Sequence, residues 1–151
     1  MQRLLPPHLF LMALVLVVGL GLSAPIIGPL PTLARLAGLA LAALGLALTT
    51  HNARRFAALG TNIKTFDEPD RFVCDGAFGY TRNPMYVGFA VALVGAALAV
   101  GSLSAWVGPI AFFVAADRWY IPFEERRLAG MFGAEYERYR SEVPRWFGAQ
   151  R

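Results

Sequence analysis

Three long stretches of this 151-residue chain contain no Asp, Glu, Lys or Arg: residues 4–34, 36–53 and 83–116. No other feature narrows the fold as far. A helix that crosses the hydrocarbon core of a bilayer needs about 20 mostly apolar residues. A water-soluble domain of this length has no interior large enough to hide so much uncharged chain. Composition agrees, with 56 % hydrophobic and 16 % charged residues and a mean hydropathy of +0.48. A single Cys excludes a disulfide-stapled secreted fold, and the 15 Gly and 10 Pro show no collagen-like period. The expected fold class is an all-α integral membrane protein, one domain over 1–151.

The gaps divide into four spans. The first runs over 7–27, followed by a helix-breaking connection at Pro25, Pro29 and Pro31. The second covers 33–50 and carries Gly38, Ala42 and Gly45, small residues that let helix backbones approach closely in lipid. The third gap is cut at Gly101-Ser102 into a hairpin of spans 85–100 and 103–121. Span one has the one-cation, apolar, small-residue outline of a signal peptide ending at Ser23-Ala24. Its length and Pro25 directly after that point favour an uncleaved span.

Cations orient the bundle. Arg3 precedes span one, and Arg54, Arg55, Lys64, Arg71 and Arg82 lie in the loop 51–84. Arg118, Arg126, Arg127, Arg138, Arg140, Arg145 and Arg151 end or follow span four, and only Arg35 falls on the opposite side. The positive-inside rule gives both termini and the 51–84 loop in the cytoplasm. The net charge of +4 is therefore a topology signal, not a nucleic-acid footprint, because acids are interleaved with the basic residues. Thirteen Arg against one Lys fit a GC-rich bacterial genome, and hence the bacterial inner membrane.

Polar chemistry gathers at two places. In Tyr80-Thr81-Arg82-Asn83-Pro84-Met85-Tyr86, Asn83 suits an N-cap and Pro84 the first helical position. That helix start exposes unpaired N–H groups which, with Arg82, attract an anion. In Asp117-Arg118-Trp119-Tyr120-Ile121-Pro122-Phe123-Glu124-Glu125, aromatic anchors sit beside charges near the membrane, and Pro122 marks the start of a C-terminal helix over 123–147. Leu128, Phe132, Tyr136, Tyr139, Val143 and Trp146 share one face of that amphipathic helix, which lies back on the cytoplasmic end of the bundle or on the membrane surface. His51 and Cys74 stand apart from both clusters. His8 and His51 are too far separated to suggest a metal site, and none is expected.

A hairpin brings the two clusters together. The pocket would hold an anion-attracting helix start, an Arg, two Tyr and two carboxylates. A zwitterionic nucleoside such as S-adenosylmethionine fits that chemistry, as do other ligands.

The blocks Gly76-Ala77-Phe78-Gly79-Tyr80-Thr81-Arg82-Asn83-Pro84-Met85-Tyr86-Val87-Gly88, Glu124-Glu125-Arg126-Arg127-Leu128, Phe132-Gly133-Ala134-Glu135-Tyr136-Glu137-Arg138-Tyr139 and Val143-Pro144-Arg145-Trp146 closely resemble the isoprenylcysteine carboxyl methyltransferase-like family. That family groups with the phospholipid N-methyltransferases, and the resemblance covers about residues 50–147. It implies a membrane methyltransferase that holds S-adenosylmethionine at the cytoplasmic ends of the last two spans and the C-terminal segment. Carried over by motif, Tyr80, Arg82, Asn83, Pro84, Tyr86, Glu124 and Glu125 hold the cofactor, and Arg118 resembles a basic position upstream of the Glu pair. Asn83 is the residue usual in bacterial members; the eukaryotic carboxyl methyltransferases carry His there. The implied acceptor is a lipid or apolar small molecule entering from the bilayer. A carboxylate acceptor needs a cation to hold it, for which Arg118 is the candidate; an amine would need Glu125 or His51 to take a proton. Carboxyl O-methylation leads and amine N-methylation stands beside it. A small four-span transporter and a non-catalytic membrane subunit are the readings from other classes.

Overall fold

A computed structural model describes residues 5–26, 30–58 and 73–147. Arg3, Arg151 and residues 59–72 of the expected 51–84 loop, Lys64 and Arg71 among them, lie outside these. The described residues are helical: α1 Pro6–Ser23, α2 Thr32–Ala58, a 3₁₀ turn Gly76–Gly79, α3 Pro84–Val100, a 3₁₀ turn Leu103–Trp106, α4 Val107–Ala115, a π turn Ala116–Tyr120 and α5 Ile121–Glu142. By length and composition α1 and α2 can each cross a membrane, and α3 is a shorter apolar helix. Only 22 % and 17 % of the two long apolar windows are buried. A soluble core helix would be mostly covered; here Val15, Leu22, Leu33 and Leu44 face outward.

The tightest pairing is α2 against α3, and its cause is the small-residue stripe. A Cβ added to Gly38 would lie 2.6 Å from the Ala99 amide nitrogen and 2.7 Å from the Gly95 carbonyl. Gly45 meets Gly88 and Ala92 in the same way, so the backbones nearly touch. Thr49 closes the lower end by donating to the Met85 carbonyl at 3.2 Å. α1 packs across α3 and α4 through Phe10, Ala13 and Val17, whose neighbours include Leu93, Ala105 and Phe112. Phe10 stacks on Phe89 with ring centroids 4.7 Å apart.

The far end of the bundle is closed by polar side chains. Gly101, at φ +77, ends α3 as the left-handed C-cap that only glycine adopts at low cost. Arg35 donates to the Ala99 carbonyl at 2.8 Å, placing a cation at the negative end of α3. Ser104 reaches the Leu20 carbonyl at 2.9 Å.

Two expectations are corrected, the helix start at Pro122 and the unbroken helix over 123–147. Pro122 does not start a new helix: α4, the π turn and α5 run on without a break. In the π turn the Ile121 amide bonds back five residues to the Ala116 carbonyl. The widened backbone accommodates the Pro122 ring, which in a tight helix would strike the carbonyl four residues earlier. The break comes instead at Gly133 (φ 51, ψ −123), a conformation that disfavours a side chain although its Cβ position is open. Finally, α5 stops at Glu142 rather than 147, because Pro144 biases Val143 to its observed extended backbone.

Candidate functional site

The site is built where α3 begins, where the π turn passes into α5, and where the chain after α5 returns. That returning segment, Val143–Phe147, lies along the turn before α3. The Arg82 amide donates to the Pro144 carbonyl at 2.9 Å. The Thr81 hydroxyl and the Asn83 side-chain amide both donate to the Arg145 carbonyl at 3.0 Å. Asn83 thus occupies the N-cap position of α3 but makes no side-chain cap, contrary to expectation, because its amide is engaged by the returning segment.

Charged side chains form an alternating chain through this junction. One terminal nitrogen of Arg82 lies 3.0 Å from Glu125, and the other donates to the Arg140 carbonyl at 2.9 Å. Arg145 grips Glu125 from the opposite side with two bonds, Nε at 3.1 Å and Nη2 at 2.6 Å. Its remaining nitrogen reaches Asp117 at 3.3 Å, and the Trp146 indole donates to the same Asp117 oxygen at 2.9 Å. Two guanidiniums and two carboxylates alternate as Arg82, Glu125, Arg145, Asp117, so no uncompensated charge is left inside. The bonds from Glu125 and Asp117 raise the pKa of Arg145 further. The Arg82 Nε is buried without a hydrogen-bond partner.

The second carboxylate faces elsewhere. The Tyr86 hydroxyl donates to Glu124 at 3.0 Å, linking the first turn of α3 to the first turn of α5. Beneath lie two buried tyrosines. Tyr139 donates to the Phe78 carbonyl at 2.8 Å. Burial pushes the Tyr136 hydroxyl up to about 12, with nearby Glu125 adding to the rise. It raises Tyr139 as well.

The structure therefore brings Arg82, Asn83, Pro84, Tyr86, Glu124 and Glu125 together. Two expected site residues stand apart. Tyr80 is 80 % exposed. The Arg118 side chain is 75 % exposed and lies 3.5 Å from the outer oxygen of Asp117. His51 is exposed on α2. Cys74 borders a separate cleft of about 360 Å³ lined also by Gly79, Tyr139 and Val143.

Sequence reasoning missed Asp117, Arg145 and Trp146 as members of the cluster. Asp117 carried a usable signal, being the first charge after a 34-residue uncharged stretch, at a depth where charge is costly. Arg145 and Trp146 carried a signal only as part of the Val143-Pro144-Arg145-Trp146 block of the family resemblance, since one Arg in a basic tail otherwise looks like any other.

The donor set suits S-adenosylmethionine. Glu124 can accept from ribose hydroxyls or an ammonium, and the start of α3 can face a carboxylate. Arg82 spends both terminal nitrogens inside the protein and its Nε is buried, so it adds positive charge beside that helix start rather than a direct donor.

Comparison with known proteins finds methyltransferases among the relatives of this chain. A protein-S-isoprenylcysteine O-methyltransferase of Schizosaccharomyces pombe is 35 % identical over 75 residues, 48 % of this chain and 30 % of the relative. Protein-S-isoprenylcysteine O-methyltransferase B of Arabidopsis thaliana is 33 % identical over 81 residues, 52 % of this chain and 40 % of the relative. An uncharacterised protein of Haemophilus influenzae is 37 % identical over 62 residues, 41 % of this chain and 98 % of the relative. The chain thus spans less than half the length of the two named methyltransferases that it matches. No solved structure gives a significant match. The family model for phospholipid methyltransferases matches residues 33–135, more than half of the chain and both polar clusters, and the chain belongs to that family.

Proposed function

We propose that this protein is a membrane methyltransferase using S-adenosylmethionine, acting on a lipid or apolar small molecule held in the bilayer. The observation that carries this is the junction of the two polar blocks: Tyr86 on Glu124 and Arg82 on Glu125 tie the start of α3 to the start of α5. Arg82, Asn83, Pro84, Tyr86, Glu124 and Glu125 are the residues assigned to the cofactor site; Tyr80, assigned with them by motif, is exposed and stands apart. Four spans, with both termini cytoplasmic in a bacterial inner membrane, complete the reading: α1, α2, α3, and the continuous 103–121 segment. In that orientation the site opens to the cytoplasm, and the acceptor reaches it sideways between helices.

When bound, the cofactor supplies a methyl group on a sulfonium, already a good leaving group. The chain's residues have little covalent chemistry to do. They align the nucleophile with the methyl carbon and keep water out. Tyr86 holds Glu124 through its hydroxyl, and Glu124 so held would accept hydrogen bonds from the cofactor. Both Glu125 oxygens are occupied by guanidinium donors, which makes Glu125 the clamp of the returning segment rather than a proton acceptor. Arg118, exposed beside Asp117, faces the surroundings and is the cation assigned to a carboxylate acceptor.

Carboxyl O-methylation is the first reading, supported by the names of the fungal and plant relatives. Amine N-methylation of a phospholipid is the second, supported by the family description. Incubating the purified protein with methyl-labelled cofactor and a total membrane extract tests both. Label is expected in the organic phase, and mass spectrometry identifies the product. Base treatment separates the readings, since a methyl ester releases labelled methanol and an N-methyl group does not. Absence of both label transfer and cofactor binding would overturn the proposal.

A further inference from the structure

The π turn changes which side chains share a face. In a regular α-helix each residue advances about 100°, so positions eight apart, such as 117 and 125, stand about 80° out of phase. A π turn absorbs one extra residue. The step from Asp117 to Glu125 then behaves as seven residues, and the two carboxylates come within about 20° of one face. The contacts follow this phase. Arg145 spans both carboxylates, with Nη1 on Asp117 at 3.3 Å and Nε and Nη2 on Glu125 at 3.1 and 2.6 Å. Trp146 bonds Asp117 and packs its ring on Phe113, one turn earlier, at 4.8 Å.

We infer that Asp117 is a positioning residue for Glu125, acting through Arg145, and that the π turn is the backbone device that brings it into phase. The inference rests on the reading of Glu125 as part of a cofactor site. A guanidinium is a rigid planar fork. Held on Glu125 alone, that plane can tilt; a third contact at Asp117 fixes it. The Arg145 carbonyl meanwhile accepts from Thr81 and Asn83, so the seat of Arg145 also sets the turn that carries Arg82 and Asn83. Asp117 thereby reaches both halves of the site without facing the ligand itself. Its place at the end of an uncharged stretch has a role that offsets the cost of a charge at that depth.

Calorimetric titration of the solubilised full chain with S-adenosylhomocysteine, the demethylated cofactor, tests this in a double-mutant cycle. Asp117→Asn keeps an oxygen for the Trp146 indole and removes only the charge opposite Arg145. The wild-type chain should bind, and Asp117→Asn should raise Kd by up to about tenfold, the scale on which a charge-assisted hydrogen bond exceeds a neutral one. Arg145→Ala should raise it at least as much. In the Arg145→Ala background, Asp117→Asn should have no further effect on Kd, whereas a general loosening of the fold by Asp117→Asn would add to the Arg145→Ala loss. Should Arg145→Ala fail to fold, Arg145→Gln takes its place. An unchanged Kd in Asp117→Asn, or an equal loss with and without Arg145, overturns the inference while wild-type binding leaves the cofactor site standing. Absence of wild-type binding overturns both.

Discussion

Glu125→Gln separates what burial does to an ion pair from what proximity does. The perturbation removes one negative charge and almost no volume. In the folded protein Glu125 is met by Arg82 at 3.0 Å and by two nitrogens of Arg145 at 3.1 and 2.6 Å. The Arg82 and Glu125 side chains are 9 % and 10 % exposed, whereas Arg145 is 31 % exposed. Losing the carboxylate leaves Arg82 as a buried cation whose counter-charge is gone, a change that costs about 3–5 kcal/mol when a buried pair is broken. Arg145 keeps Asp117 and some water, which places the expected loss near the lower end, about 3 kcal/mol. Glu137 offers the control: it pairs with Arg140 at 3.5 Å, but the two side chains are 56 % and 51 % exposed. Glu137→Gln should change stability by no more than about 0.5 kcal/mol. Thermal unfolding in one detergent, followed by circular dichroism, compares the three proteins. For a chain of this size about 3 kcal/mol corresponds to a drop of about 6–12 °C. Equal, small shifts for the two variants would refute the argument that burial gives the Glu125 cluster its weight.

Gly95→Leu should destabilise the bundle by more than the about 1–3 kcal/mol of ordinary overpacking, because the added atoms meet the backbone of Ala42 and Gly38, which cannot swing aside; Gly19→Leu, with nothing within 4 Å, is the matched control in the same unfolding assay. Tyr86→Phe should weaken cofactor binding about tenfold or more by removing the donor that fixes Glu124, and a titration calorimeter reads it directly. Tyr136, with its hydroxyl raised to about 12, should lend stability that is complete below the ordinary tyrosine value of about 10 and lost as pH climbs through about 12; phenolate absorbance should show this ionisation arriving late and together with unfolding. Arg118→Ala should raise KM for a carboxylate acceptor and leave cofactor Kd unchanged, since Arg118 lies outside the Arg82–Glu125 cluster.

Much of this architecture is legible in the order of residues because lipid makes charge expensive. The uncharged stretches outline α1, α2, α3 and α4, and Gly38 and Gly45 mark the face on which α2 meets α3. Arg35, read as the lone cation of the opposite side, proves to cap the end of α3. The pairing of Tyr86 with Glu124 and of Arg82 with Glu125 is also within reach, because a hairpin of adjacent helices has to bring those ends together. Of the expected shared face, Leu128, Phe132, Tyr136, Tyr139 and Val143 form one packed cluster, whereas Trp146, beyond the end of α5, packs against the main core.

What stays hidden is phase. Pro122 followed by Glu124-Glu125 reads as a helix start, where the polypeptide instead widens by one residue at Ala116–Tyr120 and continues. That one residue rotates everything before it relative to everything after, and the rotation decides that Asp117, rather than its neighbour Arg118, turns toward the site. The residues on both sides of the turn are held by a segment later in the chain, Phe113 packing on Trp146 and Glu125 pairing with Arg145, and a local reading of the sequence sees neither contact. The same segment displaces Asn83 from its cap and claims its amide for a carbonyl. Side chains chosen for long-range partners override local rules at this junction and nowhere so clearly along the lipid-facing helices. A cluster in which capping, helix period and charge avoidance all give way at once is where a chain concentrates the geometry that its chemistry requires.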